Sequence, residues 1–257
     1  MSESTADFKR IGLIGSGTAA TGIAEALTAA GREVIALGST RGAGADLADA
    51  DLVLEAVPDE AEVKQAVLAE IADVIGEGTP LVTVTATLSV TELAAGVPNP
   101  PRVAGLHFLG PVAGPGVVEV VRALRTGEDL VQALVAFAGS IEGKQPVVVG
   151  DRPGFLVNAL QLPYLNDVIQ EFDDGLASAE DIDTALRLGL GYRAGPLETL
   201  DRIGLDVHLR TTEALYAVTR DRRYAPPPLL RRMVAAGFLG DKTGQGFRTG
   251  GAATEEE

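Results

Sequence analysis

The chain has 257 residues, 46% of them hydrophobic and 22% charged, proportions typical of a globular protein. Its net charge of -15 disfavours nucleic acid and anionic membranes as partners, since both carry negative phosphates. The absence of cysteine excludes disulfides, thiolate metal sites and cysteine nucleophiles, and we predict no metal site. Without a membrane-length apolar run or a secretory signal at the start, we expect a cytoplasmic protein.

A glycine-rich turn stands between a short apolar strand and a helical stretch near the start of the chain. The turn has the spacing GxGxxA, with Gly15, Gly17 and Ala20 at the small positions. In this fingerprint the glycines allow a tight turn and the approach of a pyrophosphate, while the following helix offers free amides and a partial positive charge. We therefore predict that Gly15, Gly17, Thr18 and Ala19 bind a dinucleotide; the alternative is an ordinary turn.

Strands and helices alternate as far as about residue 150. Apolar runs predict further strands at residues 34–37, 52–56, 81–84, 103–106, 117–121 and 146–149. Pro58 is expected in the first turn of one intervening helix, and Thr126 is expected to cap another. The alternation predicts an α/β fold with a Rossmann-type doubly wound sheet, which binds ligands at the carboxyl ends of its strands.

Strand patterns disappear after Pro153. Helical stretches cover residues 154–174, 206–219 and 229–236, and a capping box at Ser178 opens another that stops at Gly189. We predict a dinucleotide-binding domain at residues 1–151, an all-helical C-terminal domain at 152–250 and a disordered acidic tail at 251–257.

A histidine and a glutamate are the candidate proton-transfer residues. His107 ends one apolar strand, and Glu119 lies twelve residues later in the next, so an antiparallel return brings the two side chains together. A glutamate in an apolar strand is costly to bury unless it is paired. Glu119 is then expected to fix the imidazole tautomer and leave the other nitrogen to exchange a proton with a substrate oxygen. The alternative is a structural core histidine.

Nine segments in the chain resemble the 3-hydroxyacyl-CoA dehydrogenase family, which includes 3-hydroxybutyryl-CoA dehydrogenases. They lie at residues 15–18, 50–58, 88–93, 105–108, 118–122, 151–158, 180–183, 195–198 and 242–247, in the family's order. The resemblance implies that His107 and Glu119 do the proton transfer and that Asn158 positions the substrate carbonyl. For Asn158 the alternative is a hydrogen bond at a helix start. It also implies a homodimer formed largely by the helical domain, which handles substrate.

The chain departs from the family's pattern near the active site. Where the family has Asn-Thr-Ser-Ser-Leu, Val84 replaces the asparagine that contacts the cofactor and Ala86 replaces the serine that binds substrate. The adjacent Thr87 keeps a hydroxyl and is a candidate substrate contact. Gly110 replaces an asparagine close to the active histidine. Since one positioned hydrogen bond is worth on the order of 10²–10³ in rate, we expect an altered substrate or weakened activity.

The position that selects the cofactor has changed as well. NAD-using relatives end the second strand with an aspartate that binds the ribose 2′-hydroxyl, whereas Gly38 stands here and Ser39, Thr40 and Arg41 follow. Two hydroxyls and a guanidinium suit a 2′-phosphate, so NADP(H) is preferred and NAD(H) is the alternative. The same residues are also compatible with an exposed polar loop. Because cells keep the NADP pool reduced, we expect reduction.

Only residues 42–51 separate Arg41 from the third strand, whereas the family inserts a long helical arm there to hold acyl-CoA. An extended CoA cradle is therefore not expected. Lys64, Arg122 and Arg125 are candidates for holding an anionic group, with surface charge as the alternative for each.

Together these observations predict an NADP(H)-dependent reductase that turns a 3-keto group into a hydroxyl. The keto compound is expected to be an acyl thioester or a related specialised metabolite, a small molecule in either case. The alternatives are a dehydrogenase of a small free hydroxy acid and a nucleotide-binding relative that has lost turnover.

Overall fold

The structure, a computed structural model, describes residues 7–110, 112 and 114–248. The chain divides into two compact units, Met1–Leu156 and Val157–Glu257. The acidic tail expected at 251–257 lies outside the described residues. Among the residues that are described, no helix is both long and apolar enough to cross a bilayer.

The first unit contains a seven-stranded sheet. Its strands are β1 (Arg10–Ile14), β2 (Glu33–Leu37), β3 (Leu52–Glu55), β4 (Leu81–Val84), β5 (Val103–Phe108), β6 (Gly116–Arg122) and β7 (Lys144–Gly150). The order is β2-β1-β3-β4-β5-β6-β7, and every pair is parallel except β5 with β6. Strands β2 and β3 pair with opposite edges of β1. The carboxyl ends of these strands therefore form the crevice where doubly wound sheets bind ligands.

Helices pack on this sheet through two hydrophobic clusters. They are α1 (Thr18–Ala29), α2 (Gly44–Leu47), α3 (Ala61–Val74), α4 (Val90–Leu93) and α5 (Glu128–Gly139). One cluster joins Ile23 of α1 and Phe137 of α5 to the strands, and the other joins Leu68 and Ile71 of α3 to them. All four residues of β3 are buried, as expected for a parallel strand covered on both faces. The doubly wound α/β fold expected from the sequence is confirmed.

The predicted starts of α3 and α5 are wrong, the first because of a local turn and the second because of a tertiary contact. Helix α3 begins at Ala61, since Pro58 belongs to a loop in which its carbonyl accepts from the Glu60 amide. Helix α5 begins after Gly127, and the Thr126 hydroxyl instead donates to the Val103 carbonyl at 2.6 Å.

The second unit is built from helices α6 (Val157–Asp173), α7 (Ala179–Leu190), α8 (Pro196–Ile203), α9 (Leu205–Thr219) and α10 (Pro228–Ala235). Ser178 caps α7 as predicted, whereas α8 was not predicted from the sequence. Helix α6 starts three residues later than predicted because Gly154 and Phe155 have φ angles of 76° and 50°, in the left-handed region. The helices share a core that includes Ile169, Leu200 and Leu230.

A buried polar cluster links α6 and α9 inside this second unit. The Asn166 amide donates to Thr212 Oγ1 at 2.9 Å, and its oxygen lies 3.0 Å from His208 Nε2. Because an amide oxygen only accepts, Nε2 of His208 carries a proton. His208 is 1% exposed, and burial lowers its pKa to about 4. Its Nδ1 has no hydrogen-bond partner in the described part of the chain.

Candidate active site

The glycine turn between β1 and α1 has the geometry that a bound pyrophosphate requires. Gly15 has a φ of 144°, and a Cβ there would lie 2.4 Å from the Ala56 carbonyl oxygen, so only glycine fits. A Cβ on Gly17 would meet nothing within 4 Å, which leaves that side of the turn open. Among the described residues, no side chain caps the start of α1. The Thr18 and Ala19 amides of its first turn are therefore suited to phosphate oxygens, and these residues fit a dinucleotide.

A cavity of about 890 Å³ opens from this turn along the carboxyl ends of the strands. That volume suits a cofactor or a substrate-sized molecule. Its lining includes all four predicted turn residues, together with His107 and Gly38. Ser39, Thr40 and Arg41 do not line it, because the loop leaves the cavity at Gly38. The glycine turn and the candidate proton donor thus share one cavity.

His107 and Glu119 face each other across the antiparallel β5–β6 pair. The two residues are register partners, and His107 Nδ1 lies 2.6 Å from Glu119 Oε2. The histidine is 8% exposed and the glutamate 0%. Because a carboxylate only accepts, Nδ1 carries a proton and Nε2 is the nitrogen left for other partners. A buried imidazole held in one orientation at a cavity wall can donate or accept a proton there.

The segment after β7 covers this pair. The Leu156 amide donates to Glu119 Oε1 at 3.1 Å, so the carboxylate holds a backbone group as well as the imidazole. The Phe155 ring packs on His107 with 5.6 Å between centroids and an interplanar angle of 53°. Sequence reasoning missed Phe155, although an aromatic residue directly after Gly154 in a matched family segment was an available signal. The packing restricts both ring rotation and water.

A second buried ion pair lies beneath the same cavity. Lys64 Nζ is 2.9 Å from Glu55 Oε1 and 2.7 Å from the Val84 carbonyl, and neither charged side chain is exposed. Both expectations for Lys64 are therefore wrong, since it is neither an anion-binding group nor a surface charge. Glu55 ends β3 and Val84 ends β4, and the residues that follow each strand line the cavity. The pair fixes these two loops relative to each other.

Asp59 is a cavity residue that the sequence did not bring to attention. Its Oδ2 accepts from the Ala86 amide at 3.2 Å and from the Thr87 hydroxyl at 3.1 Å. Thr87 is not in the lining of the cavity, whereas Thr85 and Ala86 are. The Thr87 hydroxyl thus orients Asp59, and its predicted contact with substrate stays a prediction. A carboxylate four residues after β3, at the edge where ligands bind, was the signal that could have found Asp59.

Asn158 belongs to the second unit, where it is the second residue of α6 and is half-buried. Its predicted role in holding the substrate carbonyl stays a prediction.

Comparison with known proteins identifies the family. Residues 39–152 match the model of the 3-hydroxyacyl-CoA dehydrogenase NAD binding domain, and residues 154–250 match that of the C-terminal domain. The chain belongs to the 3-hydroxyacyl-CoA dehydrogenase family. As a member of this family it is an NAD(P)-dependent oxidoreductase that acts on 3-hydroxyacyl groups. The resemblance found in its motifs is confirmed.

Individual members of the 3-hydroxyacyl-CoA dehydrogenase family align over most of the chain. A 3-hydroxybutyryl-CoA dehydrogenase of Mycobacterium tuberculosis is 36% identical, over 94% of this chain and 98% of the relative. A 3-hydroxyadipyl-CoA dehydrogenase of Escherichia coli is 42% identical over 78% of this chain and 42% of the relative. The crystal structure of an (S)-3-hydroxybutyryl-CoA dehydrogenase from Ralstonia eutropha superposes with a TM-score of 0.86 at 32% identity, over 95% of this chain and 99% of that one.

The mycobacterial relative has residues that this chain lacks. The mycobacterial alignment runs over 281 positions, more than the 257 residues present here, so that relative has residues without a counterpart. Between β2 and β3 the structure contains only the four-residue helix α2. The connection between β2 and β3 is therefore short, as the sequence predicted, and contains no long helical arm.

Proposed function

We propose that this protein reduces a 3-keto group to a 3-hydroxy group by hydride transfer, with His107 as general acid. One observation carries the proposal. The His107 imidazole, held at 2.6 Å by Glu119, lines the same cavity as the dinucleotide-binding turn. A positioned proton donor and a hydride donor in one cavity are what carbonyl reduction requires.

The chain's own residues divide the work of the reaction among them. A bound nicotinamide dinucleotide supplies the hydride. His107 Nε2 gives a proton to the oxygen that becomes the hydroxyl, while Glu119 keeps Nδ1 protonated and the ring in place. Asn158 holds the carbonyl oxygen in the orientation for attack. Phe155 and the burial of the pair limit the access of water to the imidazole.

For the cofactor we propose NADP(H), with NAD(H) as the alternative. The position after β2 is Gly38, so the usual aspartate that repels a 2′-phosphate is missing from that position. The hydroxyls of Ser39 and Thr40 and the guanidinium of Arg41 follow on an exposed loop where a phosphate can reach them.

For the substrate we propose a short 3-ketoacyl thioester or a related neutral keto compound. The cavity lining includes the apolar residues Val84, Ala86 and Val112, and in the described part of the chain Asp59 is its acidic residue. A free carboxylate would meet repulsion from Asp59 there, which disfavours a free keto acid. The names of the relatives support a 3-hydroxybutyryl-type acyl group. The short β2–β3 connection favours a substrate that needs no extended CoA cradle.

We also propose that the protein works in the cytoplasm as a homodimer. Residues 1–151 are assigned to the dinucleotide, and residues 152–250 to the substrate and the dimer contact. Apolar side chains on the surface of the second unit support this contact, since Leu160, Leu188 and Val218 are 68%, 74% and 66% exposed.

A panel of keto compounds tests the proposal. NADPH oxidation is followed with acetoacetyl-CoA, its truncated pantetheine thioester and free acetoacetate. We expect turnover of the thioesters and little with the free acid. Turnover of the free acid alone would favour the hydroxy-acid alternative. Tight NADPH binding without turnover across a wide set of ketones would favour the non-catalytic alternative.

A further inference from the structure

A carboxylate from helix α3 faces the loop to which we assign the 2′-phosphate. The Thr40 hydroxyl donates a hydrogen bond to the carboxylate of Glu70. Thr40 is three residues beyond the end of β2, whereas Glu70 lies on the third turn of α3 and is exposed. The aspartate that NAD-using relatives have at the end of β2 is thus replaced by Gly38. A carboxylate on α3, that of Glu70, contacts the same loop instead.

The charges around this loop oppose each other. The Arg41 side chain makes no hydrogen bond or ion pair with any described residue, so an incoming anion can pair with it. Glu70, in contrast, already occupies the Thr40 hydroxyl. A phosphate monoester of about −1.5 to −2 charge must displace this carboxylate and then remain beside it. A ribose 2′-hydroxyl carries no charge, and it can itself donate to a carboxylate.

We propose that Glu70 is the residue that sets the preference between NADP(H) and NAD(H). It weakens the binding of the 2′-phosphorylated cofactor, which Ser39, Thr40 and Arg41 favour, and so keeps NAD(H) in use. The inference rests on the proposed role of these three residues in cofactor binding. In NAD-using relatives the carboxylate that selects the cofactor ends the second strand, whereas Glu70 lies on α3.

Titration of the apo protein with NADPH and NADH, followed by nicotinamide fluorescence, tests the proposal. The variant is Glu70→Gln, which keeps the size and the hydrogen bond to Thr40 but removes the charge. We expect the Kd for NADPH to fall on the order of tenfold, as removal of one unit charge near a phosphate predicts, while the Kd for NADH stays within about twofold. The gain should shrink at high salt, because salt screens exposed charges.

Asp73→Asn is the matched control. Asp73 is an exposed carboxylate on the same helix, one turn further on, without a hydrogen bond to the loop in the described residues. Its removal should change neither affinity by more than about twofold, because the charge is more distant and screened. Thr40→Val in the Glu70→Gln background should remove part of the gain, since the hydroxyl then no longer binds phosphate.

The titration separates failure of this inference from failure of the proposed function. Equal responses to both cofactors, no response, or a loss of NADH affinity without a gain for NADPH would each overturn the role of Glu70 and leave keto reduction untouched. If the wild-type protein binds neither dinucleotide, the proposed function fails and this inference fails with it.

Discussion

Glu119 lies directly opposite His107 across β5 and β6, with 2.6 Å between Oε2 and Nδ1. Its other oxygen, Oε1, accepts the amide of Leu156. One buried carboxylate therefore sets the tautomer of the imidazole and fastens the segment that packs over it. The two roles of this carboxylate can be separated experimentally.

Glu119→Gln should lower kcat by about 10²–10⁴ without a loss of cofactor affinity. Glutamine can still accept from the Leu156 amide, but its amide group donates to Nδ1 and so reverses the tautomer. NADPH titration should give a Kd within about twofold of wild type, because the substitution is remote from the phosphate-binding turn. A kcat within threefold of wild type would show that Glu119 does not orient the catalytic ring.

The pairing of His107 with Glu119 was predictable from sequence because the two residues lie on strands that follow each other in the chain. Each residue interrupts or ends an apolar strand, and a short connection between neighbouring strands favours an antiparallel return. The environment of Lys64 was not predictable in this way. Its partner Glu55 is on another element, so neither charge on its own shows that it is buried.

Local helix rules failed where a distant group competed for the same atoms. Thr126 had the residue type of a cap, but its hydroxyl bonds to the carbonyl of Val103. Phe155 continued a helical pattern, yet its φ of 50° keeps it outside α6, which begins at Val157, and its ring packs on His107. Sequence patterns thus gave the fold class and most elements, while contacts between elements decided the shape of the site.

Lys64→Met should lower the free energy of unfolding by about 3–5 kcal/mol, since it leaves Glu55 charged and buried without its partner. The double variant Glu55→Gln, Lys64→Met should recover a large part of this loss. Urea denaturation measures both. Lys9→Met is the control, because that side chain is 78% exposed and should change stability by less than about 0.5 kcal/mol. Equal effects of Lys64→Met and Lys9→Met would contradict the buried pair.

Gly17→Ala should weaken NADPH binding by at least about tenfold while leaving the melting temperature nearly unchanged. A methyl group at Gly17 meets no described atom within 4 Å beyond the neighbouring residues, but it occupies the side where the pyrophosphate is expected to approach. Gly78→Ala is the matched control, since Gly78 also has open space around it and lies away from the turn. Unchanged NADPH affinity in Gly17→Ala would contradict the assignment of the dinucleotide to this turn.

The stability of the protein should decline as the pH falls from about 6.5 to about 4 through the titration of His208. Burial keeps His208 neutral in the folded state, whereas the unfolded chain takes up a proton at the ordinary pKa. The contribution of His208 to the free energy of unfolding is fully present above pH 6.5. It is lost progressively as the pH falls below this value, to a total of about 3 kcal/mol. Urea unfolding of His208→Gln across the same range should show a shallower dependence. Identical slopes in the two proteins would contradict the role of His208.

The measurement that bears most directly on the central claim is the rate of the hydride-transfer step in His107→Gln. Stopped-flow mixing of the NADPH complex with acetoacetyl-CoA follows nicotinamide absorbance through a single turnover. Glutamine keeps a polar group of similar reach but cannot serve as a proton donor near neutral pH. We predict a single-turnover rate about 10²–10⁴ lower than wild type at saturating cofactor, with NADPH affinity retained. A wild-type rate in this variant would contradict His107 as the proton donor.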